Sequence, residues 1–343
     1  MPETKHVVAA LIREGDRVFA TQRGYGEMKG GWEFPGGKLL EGETPRQALA
    51  REIREELGVE ISVGRLYDVI EYDYPDFHLH MECYFCTLIR GRIELKEHMD
   101  ARWLTGEELD SVDWLPADHT LIDRLKREGF AVRNLIFDVG HVLLQYRWIE
   151  MFMDYGLSEA DSRRIGEEMF SNPIWTDKFD RGIWSPERMV EEYASYLPAE
   201  DITYIKKFMI DAKKMRGEDR TEIWEAIRLL KEKGYRAYIL SNYSEYLFKL
   251  HTEDAPFMDY MDGVVVSYEP KVIKPEREIY EYLTRKYGLK MEECIFFDDR
   301  LENIVKGHEL GMDGVWVTSR KMLADTLESL LALREKQCKP ETV

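Results

Sequence analysis

Cysteine is scarce in this chain, four in 343 residues, and that excludes a disulfide framework. Cys83 and Cys86 form one C-x-x-C, but it lies inside a strand-like run, HMECYFCTLI, and no second Cys/His pair follows. Residues three apart on a strand point to opposite faces, so no zinc site is expected there. Long apolar runs are also lacking. The longest early one, VVAALI, is too short for a signal-peptide core or a membrane span. Internal repeats and low-complexity segments are missing. Basic residues are in deficit: 48 Lys and Arg stand against 66 Asp and Glu, a net charge of −18 divided evenly about residue 130. Such a surface repels nucleic-acid backbones and anionic membranes. A soluble cytoplasmic protein is expected, with small-molecule partners, no nucleic acid and no membrane. An anionic substrate then needs a metal or a local cationic pocket.

What is present is apolar mass for more than one core. The chain is 44% hydrophobic, 33% charged and 12% aromatic, a globular composition, and its length predicts two domains. VVAALIREGDRVFATQR reads as two strands around a tight turn. A helix is predicted over residues 44–57, with Thr44 at the N-cap, Pro45 at the first helical position, Gln47 closing a capping box and Gly58 just past the end. Strands are predicted in RLYDVIEYDY, FHLHMECYFCTLI and RIELKEH, and a closing helix in LIDRLKREG, which makes an α+β unit over 1–130. The pattern then changes. NLIFDV, RAYILS, GVVVS, CIFFDD and GVWVT are short apolar strands separated by helical segments, the signature of a parallel sheet covered on both faces. Residues 147–220 read as helical without strand signal, a cap inserted after the first strand of a 131–343 unit. The linker GFAVR is short, so the two units are expected to lie close together.

On the first helix, at about 100° per residue, Glu52, Glu55 and Glu56 fall within an arc of about 100° beside the core-facing Leu49, Ile53 and Leu57. Three neighbouring carboxylates repel unless a cation lies among them, and hard divalent ions such as Mg²⁺ take such oxygens. A solvated acidic face is the alternative. The wider pattern decides: Gly37, Glu43, Arg51, Glu52, Ile53, Glu55, Glu56, Gly58 and Val59 stand as G-x5-E-x7-R-E-I-x-E-E-x-G-V. This resembles the signature of the Nudix hydrolases without a departure. The resemblance implies cleavage of a diphosphate linkage, Glu52, Glu55 and Glu56 as metal ligands, Glu55 also in catalysis, and Arg51 orienting Glu43. WEFPGGK and WLPAD extend the likeness to the MutT-like nucleoside triphosphate pyrophosphohydrolases. They imply Arg23 and Asp118 as nucleotide contacts and Glu97 as a late metal ligand or base. Phe77 stands where that branch has an arginine. Asp118 favours a base edge rich in N–H, guanine, 8-oxoguanine or the cytosine amino group; capping of a helix at His119 is the other reading.

In the second unit Asp138, Ser241, Lys274 and Asp298-Asp299 stand at or just beyond strand ends, where open α/β sheets bind ligands. This resembles the capped phosphatases of the haloacid dehalogenase (HAD) superfamily, with a Rossmann-like fold. The likeness implies Asp138 as the nucleophile that forms an aspartyl-phosphate. Ser241 and Asn242 are implied at the phosphate, and Lys274 pairs with both Asp138 and substrate. Mg²⁺ is implied on Asp138, Asp298 or Asp299, and the Gly140 carbonyl. One departure matters. Most such phosphatases carry an acid two residues past the nucleophile, and here that residue is Gly140. His141 is a candidate for proton transfer, or packs only. Together these likenesses imply a bifunctional Mg²⁺-dependent hydrolase, with Mn²⁺ as a substitute metal. A nucleoside triphosphate is split to monophosphate and pyrophosphate, and a phosphoester, the same nucleotide or a sugar phosphate, is then dephosphorylated. An idle HAD half that binds a phosphorylated ligand is the rival. The sequence carries no signal for oligomeric state.

Overall fold

The computed structural model describes residues 3–335. The first unit is a seven-stranded mixed sheet of β1 (Glu3–Glu14), β2 (Arg17–Arg23), β3 (Trp32–Glu33), β4 (Gly36–Lys38), β5 (Glu60–Asp73), β6 (Phe77–Arg90) and β7 (His98–Thr105). β1 lies at its centre, parallel to β6 and antiparallel to β2 and β4. Alternate residues of β1 and β6 supply two cores, one on each face. Val8, Ala10, Ile12 and Cys86 pack under helix α1 (Pro45–Leu57), whereas Ala9, Leu11, Cys83 and Phe85 pack under α2 (His119–Glu128). The C-x-x-C cysteines therefore face opposite cores, as the period of two requires.

Helix α1 forms as its sequence predicts. Thr44 accepts from the Gln47 N–H at 3.3 Å, the Gln47 side chain returns to the Thr44 N–H at 2.9 Å, and Gly58 adopts φ 68° beyond the last turn. The strand predicted in RIELKEH is not formed. The N–H groups of Glu94 and Lys96 instead reach the carbonyls of Leu57 and Glu56, at 2.9 and 3.1 Å. This segment closes carbonyls that the end of α1 leaves open, and β7 begins only at His98.

The second unit holds β8 (Asn134–Phe137), β9 (Leu144–Tyr146), β10 (Arg216–Asp219), β11 (Arg236–Ser241), β12 (Gly263–Val266), β13 (Cys294–Asp298) and β14 (Asp313–Trp316). Five of them form a parallel sheet in the order β12-β11-β8-β13-β14. The chain leaves β8 for β11 and β12 on one side and returns to β13 on the other, so the order reverses beside β8, where such sheets bind ligands. Both faces are buried, which explains the unbroken apolar runs. Helices Trp148–Asp154, Glu159–Phe170, Pro186–Ala194 and Ala199–Ile210 form the cap. Within 147–220, where no strand is expected, β10 pairs with β9 in a two-stranded ribbon at the base of the cap. RGED has no strand propensity of its own; the pairing is imposed by the partner strand.

The two sheets are joined directly. Arg13 of β1 is buried against Asp313 at the start of β14, and its guanidinium also donates to the carbonyls of Phe130 and Glu292 at 3.1 and 3.0 Å. Ser62 Oγ donates to the Gly314 carbonyl at 2.6 Å. Helix Arg320–Glu335 packs against β6 as well as against helix Thr221–Glu232. Among the described residues, no helix is long and apolar enough to cross a membrane.

Candidate active sites

In the first unit a cavity of about 590 Å³ opens between α1, β1, β6 and the loop after β2. Arg51 organises its mouth. Its guanidinium grips Glu43 through two bonds of 2.8 and 2.9 Å, donates to the Lys38 carbonyl at 3.1 Å, and touches Glu52 and Glu55 at 2.9 and 3.2 Å. The loop carrying Glu43 is thereby tied to α1. Gly37 lies close against α1: a Cβ there would lie 2.3 Å from the Glu52 carboxyl carbon, so the carboxylate would have to shift.

The three helix glutamates do not share one environment. Glu52 and Glu56 line the cavity with Glu33 and Glu97, whereas the Glu55 side chain is 59% exposed beside Arg51 and outside the lining. Glu56 is 6% exposed, so the alternative of a solvated acidic face fails at this residue. Burial pushes its carboxyl up to about 8, and the charges of Glu52, Glu97 and Glu33 add to the effect. Its Oε2 is buried without a protein partner. A crowded, desolvated carboxylate of this kind fits a hard divalent cation.

At the far side of the cavity Asp118 is buried, and it makes no side-chain cap to α2, so the capping alternative fails. Burial first, and then the charge of Glu33, push its carboxyl well above the usual range. Arg23 also lines the cavity but is paired with Glu33 at 2.8 Å. Glu33 was not anticipated from the sequence, and neither was Lys5. Lys5 lies 3.7 Å over the ring of Phe77 and places a cation beside the position where an arginine is missing.

In the second unit a cavity of about 300 Å³ lies between the parallel sheet and the cap. The buried Lys274 Nζ stands 2.9 Å from Asp138 Oδ1, 2.6 Å from Asp298 Oδ2 and 2.9 Å from the Leu240 carbonyl. Burial opposes its charge, but Asp138 and Asp298 outweigh burial and hold the ammonium above the usual lysine range. Asp138, Asp298 and Asp299 offer ligand oxygens within 4.8 Å of one another, the only such trio among the described residues. Burial, then Asp138 and Asp298, push Asp299 up to about 7. Three carboxylates in this space also fit a hard cation. Asp298 is fixed by the Arg300 N–H at 2.8 Å and by Asn303 at 3.0 Å.

Ser241 Oγ is buried, lines the cavity and has no protein partner, so it is free to meet a ligand oxygen. Asn242, expected at the phosphate, uses its side chain otherwise. It donates to the Lys274 carbonyl at 2.9 Å and accepts from the Lys274 N–H at 2.7 Å, which is the geometry of a group that positions Lys274. Gly140 and His141 both line the cavity. The His141 backbone has φ 54°, and its ring lies edge-on to Tyr146 at 5.2 Å. Burial and the nearby Arg220 lower its basicity. Tyr146 at the end of β9 joins Trp148, Phe170 and Trp175 of the cap in an aromatic wall, and the cap adds one buried carboxylate, Asp180. Asp180 lies in KFDRG, far from the strand ends, and carries no local signal of its placement.

The chain is similar to proteins of known kinds. The NUDIX domain family matches residues 2–137, and the haloacid dehalogenase-like hydrolase family matches residues 87–311. A putative 8-oxo-dGTP diphosphatase 2 of Mycobacterium tuberculosis is 40% identical over 123 residues, 35% of this chain and 87% of that protein. A CTP pyrophosphohydrolase of Escherichia coli is 34% identical over 118 residues, 34% of this chain and 87% of that protein. A sesquiterpene phosphatase of Aspergillus oryzae is 26% identical over 200 residues, 58% of this chain and 94% of that protein. The chain is a hydrolase built of two catalytic folds. It belongs to the Nudix and haloacid dehalogenase-like hydrolase families, joined in one polypeptide.

Proposed function

We propose that the Nudix unit, residues 1–130, splits a nucleoside triphosphate of the 8-oxo-dGTP/dGTP or (d)CTP type into monophosphate and pyrophosphate. What carries the reading is one cavity with Glu52 and Glu56 at one side and the buried Asp118 at the other. Glu52, Glu56 and Glu97 would hold Mg²⁺, or Mn²⁺ in its place, with Glu55 at the rim. Bound there, the metal neutralises diphosphate charge and activates water. Arg51 fixes Glu43 and the loop, Asp118 reads the base edge, and Arg23 with Lys5 supplies positive charge. The names of the two nucleotide-hydrolysing relatives support this substrate class.

In the HAD unit, residues 131–343 with a cap over about 147–220, Asp138 attacks the phosphorus of a phosphomonoester. Lys274 aligns Asp138 and offsets charge, and Ser241 holds a phosphate oxygen. Asp138, Asp298, Asp299 and the Gly140 carbonyl would hold Mg²⁺. The aromatic wall favours a substrate with a planar or apolar body, such as a nucleoside 5′-monophosphate, over a bare sugar phosphate. The sesquiterpene phosphatase relative is in keeping with an apolar body. The net charge of −18 supports small-molecule partners rather than nucleic acid or membrane.

A nucleotide panel with products identified by mass tests both halves. Wild type should release nucleoside, pyrophosphate and phosphate; Asp138→Asn should stop at the monophosphate; Glu56→Gln should leave the triphosphate intact. Phosphate release that persists in Asp138→Asn would remove the aspartyl-phosphate reading.

A further inference from the structure

Transfer of phosphate to Asp138 leaves an oxygen on the departing group that must be protonated unless it is already a stable anion. The residue two places past the nucleophile cannot supply that proton, because it is Gly140. The space its side chain would fill is occupied: a Cβ at Gly140 would lie 2.9 Å from the ring of Tyr146. The Tyr146 hydroxyl donates to Tyr243 at 2.7 Å. Tyr243 bonds His251 Nδ1 at 2.6 Å, and His251 Nε2 meets the Ala212 carbonyl at 2.8 Å. The first of these bonds engages the phenol proton of Tyr146 with Tyr243, which also lines the cavity. His141 packs edge-on against Tyr146, and burial and the nearby Arg220 lower its basicity.

One carboxyl outside the cation trio is both buried and part of the cavity lining: Asp180, at the end of the cap segment Trp175–Asp180. Its own carbonyl accepts from Ser267 Oγ at 2.5 Å, which pins this part of the cap to the segment after β12. Burial pushes the Asp180 carboxyl well above the usual range. The Ser244 N–H opposes that rise and the charge of Asp138 adds to it.

We propose that Asp180 is the proton donor of the HAD site. As the Asp138 Oδ–P bond forms and the P–O bond to the alcohol breaks, the Asp180 acid gives its proton to the departing oxygen. The resulting carboxylate then takes a proton from the water that attacks phosphorus, the Asp138–phosphate bond breaks, and inorganic phosphate leaves. The acid therefore comes from the cap rather than from the nucleophile loop, so proton transfer requires the cap to be seated. This inference rests on the aspartyl-phosphate reading above.

The test is a series of monophosphates of rising leaving-group basicity, p-nitrophenyl, phenyl and a simple alkyl ester, turned over by the full chain with Mg²⁺. Asp180→Asn should lower kcat/KM for the alkyl ester about 100- to 10,000-fold, and for p-nitrophenyl phosphate less than about tenfold. The dependence on leaving-group basicity should steepen, and Asp180→Glu should recover part of the alkyl activity. A purely structural role would lower the whole series equally, and that result, or no loss on the alkyl ester, would overturn the proposal. Should Asp180→Asn not fold, the solvent deuterium isotope effect on wild type decides. It should be larger for the alkyl than for the nitrophenyl ester, and equal effects would overturn the proposal. Asp138→Asn run in parallel separates the two readings: activity surviving there sinks the aspartyl-phosphate route whatever Asp180 does.

Discussion

Glu56 and Asp118 line one cavity, and burial raises both carboxyls, with different consequences. Glu56 titrates at about 8 in the fold and near 4.5 when unfolded. The folded state therefore binds more protons between these values, and wild-type stability should fall as pH rises from about 4.5 to 8. In EDTA, Glu56→Gln should remove that fall. Its melting temperature should match wild type near pH 4.5 and exceed it increasingly up to pH 8, while nucleotide turnover with Mg²⁺ drops by about two orders of magnitude or more. Parallel melting curves across that pH range would show that the Glu56 charge is relieved some other way. Asp118, once protonated, both donates and accepts, as an asparagine does. Asp118→Asn should therefore keep turnover of 8-oxo-dGTP or CTP within about tenfold, whereas Asp118→Ala leaves the base edge without a partner and should cost about 1–3 kcal/mol, roughly five- to a hundredfold. Both measurements compare kcat/KM with that for dUTP, which should change little. An equal penalty for every base would make Asp118 a structural residue.

At the scale of elements, the parts fixed by local chemistry were legible and the parts fixed by distant partners were not. Helix α1 is local in this sense: Thr44, Pro45, Gln47 and Gly58 mark both ends, and its apolar spacing marks the buried face. Thr44→Ala should cost about 1 kcal/mol in chemical denaturation. Because α1 carries the proposed metal-binding face, it should also weaken the protection that Mg²⁺ gives against denaturant. An unchanged midpoint would mean that packing of Leu49, Ile53 and Leu57 alone sets the helix start. The five parallel strands were legible for a related reason, since burial on both faces leaves no polar residue to break their apolar runs. RIELKEH misled because alternation also suits an extended segment that closes a helix end. β10 was missed because only its partner β9 makes RGED a strand. Within the sites, Asp138, Lys274, Ser241 and the glutamates of α1 announce themselves by motif. Glu33, Lys5, Tyr146 and Asp180 do not, because what brings them to the cavities is tertiary packing.

At the scale of the whole molecule, the two folds share a buried ionic joint. Arg13 lies 3.9 Å over the ring of Phe85 and is paired with Asp313, which itself fits beside β5 only because Gly64 leaves room: a Cβ there would be 2.9 Å from Asp313 Oδ1. Removing one member of a buried pair strands the other charge, at a cost of about 3–5 kcal/mol. Asp313→Ala should destabilise the protein by about that much, and calorimetry should resolve two transitions where wild type gives one. A single transition at the wild-type temperature would show that the remaining contacts suffice to couple the halves.

The same joint bears on how such a chain can be rearranged in descent. A gene cut near residue 130 would yield two polypeptides, each with one half of an ion pair suddenly facing solvent beside newly bared apolar surface. Either fragment would need compensating substitutions before it could live alone or be recombined with another partner. A substitution at position 13 would leave Asp313 buried without its cation, so tolerating it would call for a matching change at position 313.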